Sequence, residues 1–316
     1  MVGTRRTVTK FSRRASVELV NRASSQALDL TVRVAQPYNA KPLLTYLAVR
    51  AISGVECVER ERYRRVVHIG GESRMLTVDL SRISADSVIL ASCVPGNGLD
   101  PKSVRRIVVA LTDADAPIAT IEQRLREDRT LVSLVKRNAG SRIPGSVDPF
   151  ELTVRAILGQ QVSIATARTF ASRIAARWGD EFDSDQPDFS FTFPGPAQLA
   201  GAPLEQAGLS RARAGAIREL SKAVLDRRVR LGFGQSSEST EETLRSIKGI
   251  GPWTAAYVAL RGLGDRDAIP LDDLGLRQAL GDGAACSERT LAAQAESWRP
   301  WRGYGAIHLW NTFLEL

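Results

Sequence analysis

The chain has 316 residues and 43% of them are hydrophobic, so it can bury one large core or two to three smaller ones. It carries 43 Lys and Arg against 35 Asp and Glu, and the net charge of +8 favours polyanionic partners through long-range attraction. Cys57, Cys93 and Cys286 are scattered without a CxxC pair, which argues against a disulfide framework and a cysteine metal cluster. No apolar run approaches the roughly 18 residues of a membrane span, and the first residues lack the apolar stretch of a signal peptide. We therefore expect a soluble, cytoplasmic protein without a membrane partner.

The first third of the chain predicts an α+β region behind a basic tail. Residues 1–30 are rich in Arg and Ser with weak periodicity, which is typical of a flexible tail. Residues 41–52 have apolar positions at helical spacing. Residues 63–80 and 86–94 contain short β-branched runs divided by Gly-Gly or polar residues, as in antiparallel strands.

From about residue 100 the pattern is helical. Apolar residues recur every 3.6 positions in the segments 103–114, 118–138, 149–179 and 211–227. Residues 179–203 are rich in Pro, Gly and Asp, which predicts a surface loop that leads into a short helix.

The segment "GIGPWTAAYVALRGLGDRDAIPLDD", residues 249–273, begins with two glycines and ends with two aspartates. A dinucleotide fingerprint would have to follow a strand, but residues 236–248 begin with Ser and Thr, place Glu in the first turn and predict a helix. Pro252 suits the first turn of a second helix. The pattern therefore predicts a helix, a Gly-Ile-Gly hairpin and a helix. Two roles stay open for the hairpin, a plain turn between helices or a site for a DNA phosphate.

A wider stretch carries a family resemblance. The segment "LRSIKGIGPWTAAYVALRGLGDRDAIPLDDLGLRQAL" resembles the helix-hairpin-helix, Gly/Pro-rich loop and Asp signature (HhH-GPD) of base-excision DNA glycosylases, specifically the 3-methyladenine DNA glycosylase II family. "PYNAKPLLTYLAVRAISGVECVERERYRR", "VDPFELTVRAILGQQVS" and "WRPWRGYGAIHLW" are similar to further parts of that family. The resemblance runs from about residue 35 to the end.

The resemblance implies an α+β fold, with a TBP-like N-terminal antiparallel sheet and helices over 31–115 and a helical region over 116–316. We expect that region to contain a central subdomain of about 145–262 with the hairpin. A second subdomain would combine about 116–144 with 263–316. The cleft between them would hold the pocket, with DNA across its mouth.

The implied activity is that of a DNA glycosylase in base excision repair. It would flip alkylated purines such as 3-methyladenine and 7-methylguanine from duplex DNA, hydrolyse the N-glycosidic bond and leave an abasic site. Trp253 stands where related lyases carry a Schiff-base lysine, which predicts no strand cleavage. Iron-sulfur members need four C-terminal cysteines, so we expect no cofactor. We expect a monomer on double-stranded DNA, at the nucleoid if the source is bacterial.

Asp273 matches the family's catalytic aspartate. Departure of a base leaves positive charge on the deoxyribose, and a nearby ionised carboxylate stabilises that charge or orients the attacking water. A helix N-terminus would keep Asp273 ionised. For the neighbouring Asp272, the alternative role of helix N-cap stays open.

Family positions also imply a base pocket. Its expected residues are Tyr46, Trp253, Tyr257, Leu274 and Trp310. Electron-rich rings attract a cationic base by stacking and cation–π contact. Leu274 and Asn311 stand where aromatic residues are common in the family, so the pocket is less aromatic. Aromatic residues at helical spacing have an alternative role in the core, and His308 is expected to be structural.

The residues expected to contact DNA are Lys248, Gly249, Gly251, Thr254, Arg277 and Gln161. The glycines and Thr254 match the hairpin contacts, which position a duplex without reading its sequence. Lys248 and Arg277 are charged neighbours, with a solvated surface role as the alternative. Gln161 stands where the family inserts an apolar wedge, and it would fill the gap by hydrogen bonding. The sequence indicates no metal site.

Two other protein classes are alternatives to this interpretation. A noncatalytic helix-hairpin-helix DNA-binding protein would need neither Asp273 nor a pocket. A dinucleotide-dependent oxidoreductase would need parallel strands that alternate with helices, and the chain after about residue 100 offers none. We therefore expect no dinucleotide cofactor.

Overall fold

The computed structural model describes residues 27–184, 186, 188–233 and 235–313. An antiparallel sheet opens the fold, with the strand order β1-β5-β4-β3-β2. The strands are β1 (Leu28–Arg33), β2 (Glu56–Glu59), β3 (Arg62–Ile69), β4 (Glu72–Asp79) and β5 (Val88–Val94). The strand β1 begins within the predicted tail, so the tail prediction is wrong for residues 28–30. Residues 1–26 of that tail lie outside the described part of the chain.

Helices make up most of the remaining structure. The α-helices are α1 (Ala40–Arg50), α2 (Ile83–Asp86), α3 (Pro101–Thr112), α4 (Ile118–Leu125), α5 (Val132–Arg137), α6 (Pro149–Leu158), α7 (Ile164–Trp178), α8 (Pro196–Leu199), α9 (Arg211–Leu225), α10 (Ser237–Arg245), α11 (Pro252–Val258), α12 (Leu274–Leu280), α13 (Glu288–Ala295) and α14 (Arg302–Asn311). A π-helical turn, Ala259–Leu263, continues α11. The predicted α+β fold, an antiparallel sheet followed by helices, is confirmed.

The sheet packs its inner face against α1 and α3. Alternate positions of β4 are buried, as the two-residue period of a strand requires, and Leu76 and Val78 face the core. Leu43 of α1 and Val104 of α3 belong to the same apolar cluster. This packing holds α1 in place, and α1 carries one wall of the cleft described below.

Two further cores lie in the helical region. One joins α6, α7, α9 and α11, and Ile157, Ile217 and Val258 are buried in it. The other joins residues from 116–143 with residues from 259–309 around the buried Trp298. The chain thus returns to its earlier helices after α11, and a groove forms between the two cores. The exact bounds of the subdomains stay a prediction.

Close packing fixes α14 in the second helical core. A Cβ atom at Gly305 would lie 2.3 Å from Trp298 Cε3, so glycine lets α14 press against the indole ring. Trp298 and Tyr304 are both fully buried in this core. None of the helices in the described residues is long and apolar enough to cross a membrane.

His308 on α14 is fully buried, and neither ring nitrogen has a hydrogen-bond partner. Burial, with a smaller contribution from Arg126, lowers the pKa of His308 from 6.5 to about 4. Because the folded-state pKa is the lower one, the associated stability is present above pH 6.5 and is lost as the pH falls through 4.

We expect His308→Leu to lose less stability on acidification than the wild type. Between pH 7 and pH 4, its free energy of unfolding should fall by about 3 kcal/mol less. Urea denaturation of both proteins between pH 7 and pH 4 measures the difference. Parallel stability curves for the two proteins would show that His308 does not cause the acid sensitivity.

Candidate active site

A cleft of about 710 Å³ opens between α1, the connection from α6 to α7, α11 and α14. Most of its surface is apolar. Asp273 supplies a carboxylate to its wall, and the aromatic rings of Tyr46, Trp253, Tyr257 and Trp310 line the same cleft. The structure thus brings together, from four separated segments, the predicted catalytic residue and four of the five predicted pocket residues. Their functional roles stay predictions.

Asp273 is held from three directions. It is the N-cap of α12, and its Oδ1 accepts hydrogen bonds from the Leu276 backbone N–H at 2.8 Å and from Trp310 Nε1 at 3.1 Å. Its Oδ2 accepts from Trp253 Nε1 at 2.7 Å. These three donors fix the orientation of the carboxylate.

The N-cap of α12 differs from one expectation of the sequence analysis. Asp273 caps α12, so the alternative that gave this role to Asp272 is wrong. Asp272 is half-buried, and burial together with the nearby carboxylates of Glu288 and Asp273 raises the pKa of its side chain. The two neighbouring aspartates therefore have different environments, and the one with three donors faces the cleft.

The aromatic wall of the cleft consists of Trp253, Tyr257, Trp310 and Tyr46, and helical spacing places two of these rings side by side. Trp253 and Tyr257 lie four residues apart on α11 and stack with ring centroids 5.0 Å apart. Trp310 meets Tyr257 edge-on at 6.4 Å, and the hydroxyls of Tyr257 and Tyr46 share a hydrogen bond of 2.7 Å. Burial raises the pKa of Tyr257 above its ordinary value, so this hydroxyl stays protonated. A flat apolar ligand would find rings on several sides.

The hairpin lies beside this wall. Gly249 has a φ of +94°, which is favourable only for glycine, and a Cβ there would lie 2.9 Å from Ala216 Cβ. Gly251 is exposed and is the N-cap of α11, and Pro252 occupies the first helical position. Lys248 is exposed before the hairpin. These positions leave the backbone of the hairpin open at the surface next to the cleft.

The Gln160 side chain connects the hairpin to the loop between α6 and α7. Gln160 Nε2 donates to Gly249 O at 3.0 Å and to Thr254 Oγ1 at 2.9 Å. Thr254 is 1% exposed and its hydroxyl lies inside against Gln160, so a DNA contact at this residue stays a prediction. Gln161 is exposed, with a φ of 55°, at the tip of this loop. Its position beside the cleft leaves the predicted gap-filling role open.

Two more expectations concern α12. Leu274 is 59% exposed and does not belong to the cleft wall, so its assignment to the pocket is wrong. It follows the N-cap and points outward because the first turn of α12 turns its other face to the core through Leu276. Arg277 donates from Nε to Cys286 O at 2.6 Å, which ties part of its guanidinium to the protein.

The cleft contains residues that sequence analysis missed. Arg261, on the π-helical turn after α11, and Phe313, after α14, line it, and so does Arg50 at the end of α1. Arg261 follows Trp253 and Tyr257 at intervals of four residues, which is the one signal that could have placed it on this face. Within the described residues, no three His, Cys, Asp or Glu side chains form a group that could hold a metal ion.

Residues 27–148 match the family model of the AlkA N-terminal domain, and residues 154–302 match that of the HhH-GPD superfamily base excision DNA repair protein. The chain is 33% identical over 291 residues to the probable bifunctional transcriptional activator/DNA repair enzyme AlkA of Mycobacterium tuberculosis, across 92% of this chain. It spans 58% of the length of that relative.

A second relative is matched over nearly its whole length. The chain is 32% identical over 283 residues to DNA-3-methyladenine glycosylase 2 of Escherichia coli, across 87% of this chain and 94% of that protein. The structure of 3-methyladenine DNA-glycosylase from Archaeoglobus fulgidus has a similar fold, with a TM-score of 0.76 at 24% identity over 91% of this chain and 99% of that one. The chain therefore belongs to the AlkA family of DNA-3-methyladenine glycosylases, with an HhH-GPD domain in its helical region.

Proposed function

We propose that the protein is a monofunctional DNA glycosylase that acts as a monomer on double-stranded DNA in the cytoplasm. It flips alkylated purines, among them 3-methyladenine and 7-methylguanine, into the cleft and hydrolyses their N-glycosidic bonds, leaving abasic sites for base excision repair. The observation that carries the proposal is the Asp273 carboxylate, held by Trp253 and Trp310 in the wall of an aromatic cleft next to an exposed hairpin. The names of the AlkA relatives support the same activity.

The carboxylate suits the charge that develops on the sugar. Oδ1 of Asp273 accepts two hydrogen bonds, whereas Oδ2 accepts one, so Oδ2 keeps a free lone pair toward a substrate or a water. As the glycosidic bond breaks, positive charge grows on the deoxyribose and the fixed carboxylate stabilises it without reorganising. Water then adds to the sugar and its proton is lost, so the products are the free base and an abasic sugar.

The rings suit the leaving group. A flipped purine can stack on the indole and phenol faces of Trp253, Tyr257 and Trp310, which replace the stacking that the base loses in the duplex. Methylation at purine N3 or N7 makes the base cationic before it leaves, so the bond breaks with little help from a general acid. A single carboxylate is then sufficient for the reaction.

Duplexes that each carry one lesion test the proposal. We expect base release from alkylated purines without strand breaks until alkali is added. Borohydride should trap no covalent complex, since Trp253 cannot form the Schiff base that a lysine forms in lyases. Release of none of the lesions would contradict glycosylase activity, and a trapped complex would contradict the monofunctional assignment.

Gly251 offers a separate test of DNA contact by the hairpin. Its φ of −90° is open to any residue, and a Cβ there would meet no protein atom within 4 Å. Nothing in the protein therefore requires glycine at this exposed position. If a phosphate approaches the backbone here, a methyl group would hold it away.

We expect Gly251→Ala to lower the thermal unfolding midpoint only slightly, because alanine is a weaker N-cap than glycine, and to weaken binding to abasic duplex DNA about tenfold, or ~1.4 kcal/mol. Fluorescence anisotropy measures the affinity. The matched control is Gly201→Ala, another exposed glycine with open space around its Cβ position. Equal affinities of wild type and both variants would place the DNA elsewhere.

A further inference from the structure

A buried cation sits among the rings of the cleft. Arg261 is 5% exposed, and its Cζ lies 4.3 Å from the ring centroid of Tyr46, 5.3 Å from that of Tyr257 and 5.1 Å from that of Trp310. Three of the four rings that would hold a flipped base thus already contact a guanidinium of the protein. Among the described residues, no carboxylate lies within ion-pair distance of Arg261.

The hydrogen bonds of Arg261 are incomplete. Nη1 donates to Pro144 O at 2.8 Å, which anchors one end of the guanidinium. Nε is buried and has no hydrogen-bond partner. A guanidinium only donates, and a buried unpaired donor costs about 1–3 kcal/mol. Nη2, by contrast, is not enclosed and makes no hydrogen bond within the described residues, so it can donate to an acceptor that fills the cleft.

We propose that Arg261 determines which flipped bases the protein releases, by donating a hydrogen bond to the carbonyl oxygen at position 6 of a purine. This inference rests on the proposed glycosylase function and deepens it. A 6-oxopurine, such as 7-methylguanine or hypoxanthine, presents an acceptor at that position. In 3-methyladenine an amino group stands there, and its N–H bonds would face another donor.

Charge supports the same preference. Arg50 also lies over the Tyr46 ring, with its Cζ 4.2 Å from the centroid. Arg50 and Arg261 therefore both make cation–π contacts with this one ring. A cationic base gains less from rings that already face positive charge, and it meets repulsion from the guanidiniums. A carbonyl oxygen directed at Arg261 offsets that repulsion, so the preference among alkylated bases depends on this contact.

Dimethyl-sulfate-treated duplex DNA tests the proposal, since it contains both 7-methylguanine and 3-methyladenine. We expect Arg261→Met to reduce the release rate of 7-methylguanine at least tenfold and that of 3-methyladenine less than threefold, both measured by chromatography of the freed bases from one reaction. A hypoxanthine-containing duplex should show the same tenfold loss. Arg261→Lys, which keeps the charge but loses the planar donor group, should retain only part of the activity on 6-oxopurines.

The outcomes separate this inference from the proposed function. Equal losses on both bases, in a variant with an unchanged unfolding midpoint, would overturn the recognition role and leave Arg261 as a general packing residue. If Arg261→Met does not fold, Arg261→Lys provides the test. A ratio of the 7-methylguanine release rate to the 3-methyladenine release rate that equals the wild-type ratio would overturn the inference. If the wild type releases none of these bases, the proposed function fails and the inference fails with it.

Discussion

Asp273→Asn should release alkylated bases at least about 10²- to 10³-fold more slowly than the wild type. The variant removes the negative charge that stabilises the sugar in the transition state, while its amide oxygen can still accept from the Leu276 backbone N–H and cap α12. The substituted amide would place an N–H group against Trp253 Nε1, a donor, so part of the loss comes from a disturbed orientation. Single-turnover kinetics with excess enzyme on one-lesion duplexes measures the rate of bond cleavage directly.

Asp272→Asn is the matched control, because it makes the same chemical change one residue earlier at a side chain that the indole N–H groups of Trp253 and Trp310 do not bind. We expect its rate to stay within about threefold of the wild type. Both variants should bind abasic DNA with unchanged affinity. Wild-type rates in Asp273→Asn would instead favour a noncatalytic helix-hairpin-helix DNA-binding protein or another catalytic group.

Local periodicity was sufficient to predict most helices but not every strand. The segments that became α3, α6, α7 and α9 show apolar residues at 3.6 spacing, and each forms a buried face in the structure. The strand β2 has the polar sequence Glu-Cys-Val-Glu, which gives no strand signal. Glu56 in it is buried because Arg65 and Arg155 neutralise it, and such distant partners do not show in a local pattern.

The site was predictable where a motif fixes both residue type and spacing. Asp273 and Trp253 follow from the hairpin motif, and their side chains meet in the structure. The motif does not tell which side of a helix turn faces the cleft, so Leu274 was placed wrongly. Arg261 was missed because a charged residue on a helix is ordinarily solvated, and its burial depends on rings from α1 and α14.

A buried ionic network joins the N-terminal sheet to the helical region behind the cleft. Arg65 of β3 makes a bidentate pair with Glu151 of α6, with Nη2 to Oε2 at 2.6 Å. Arg155 contacts Glu151 at 3.0 Å and Glu56 at 2.7 Å, and it donates to Arg50 O at 2.6 Å. Although burial raises it, the two arginines hold the pKa of Glu56 below its ordinary value. Two carboxylates thus balance two guanidiniums, and the network supports the end of α1.

Glu151→Gln should lower the free energy of unfolding by about 3 kcal/mol or more, because it leaves Glu56 alone to balance the guanidiniums of Arg65 and Arg155 in this network. Urea denaturation at pH 7 measures this change. The matched control is Glu205→Gln, which breaks the half-exposed pair with Arg218 at 2.9 Å and should have no measurable effect. The double variant Glu151→Gln/Arg65→Met removes one charge of each sign, so it should recover most of the loss, and the two single changes will not add. A loss in the double variant equal to the sum would mean that packing around Glu151, rather than charge balance, holds the sheet against α6.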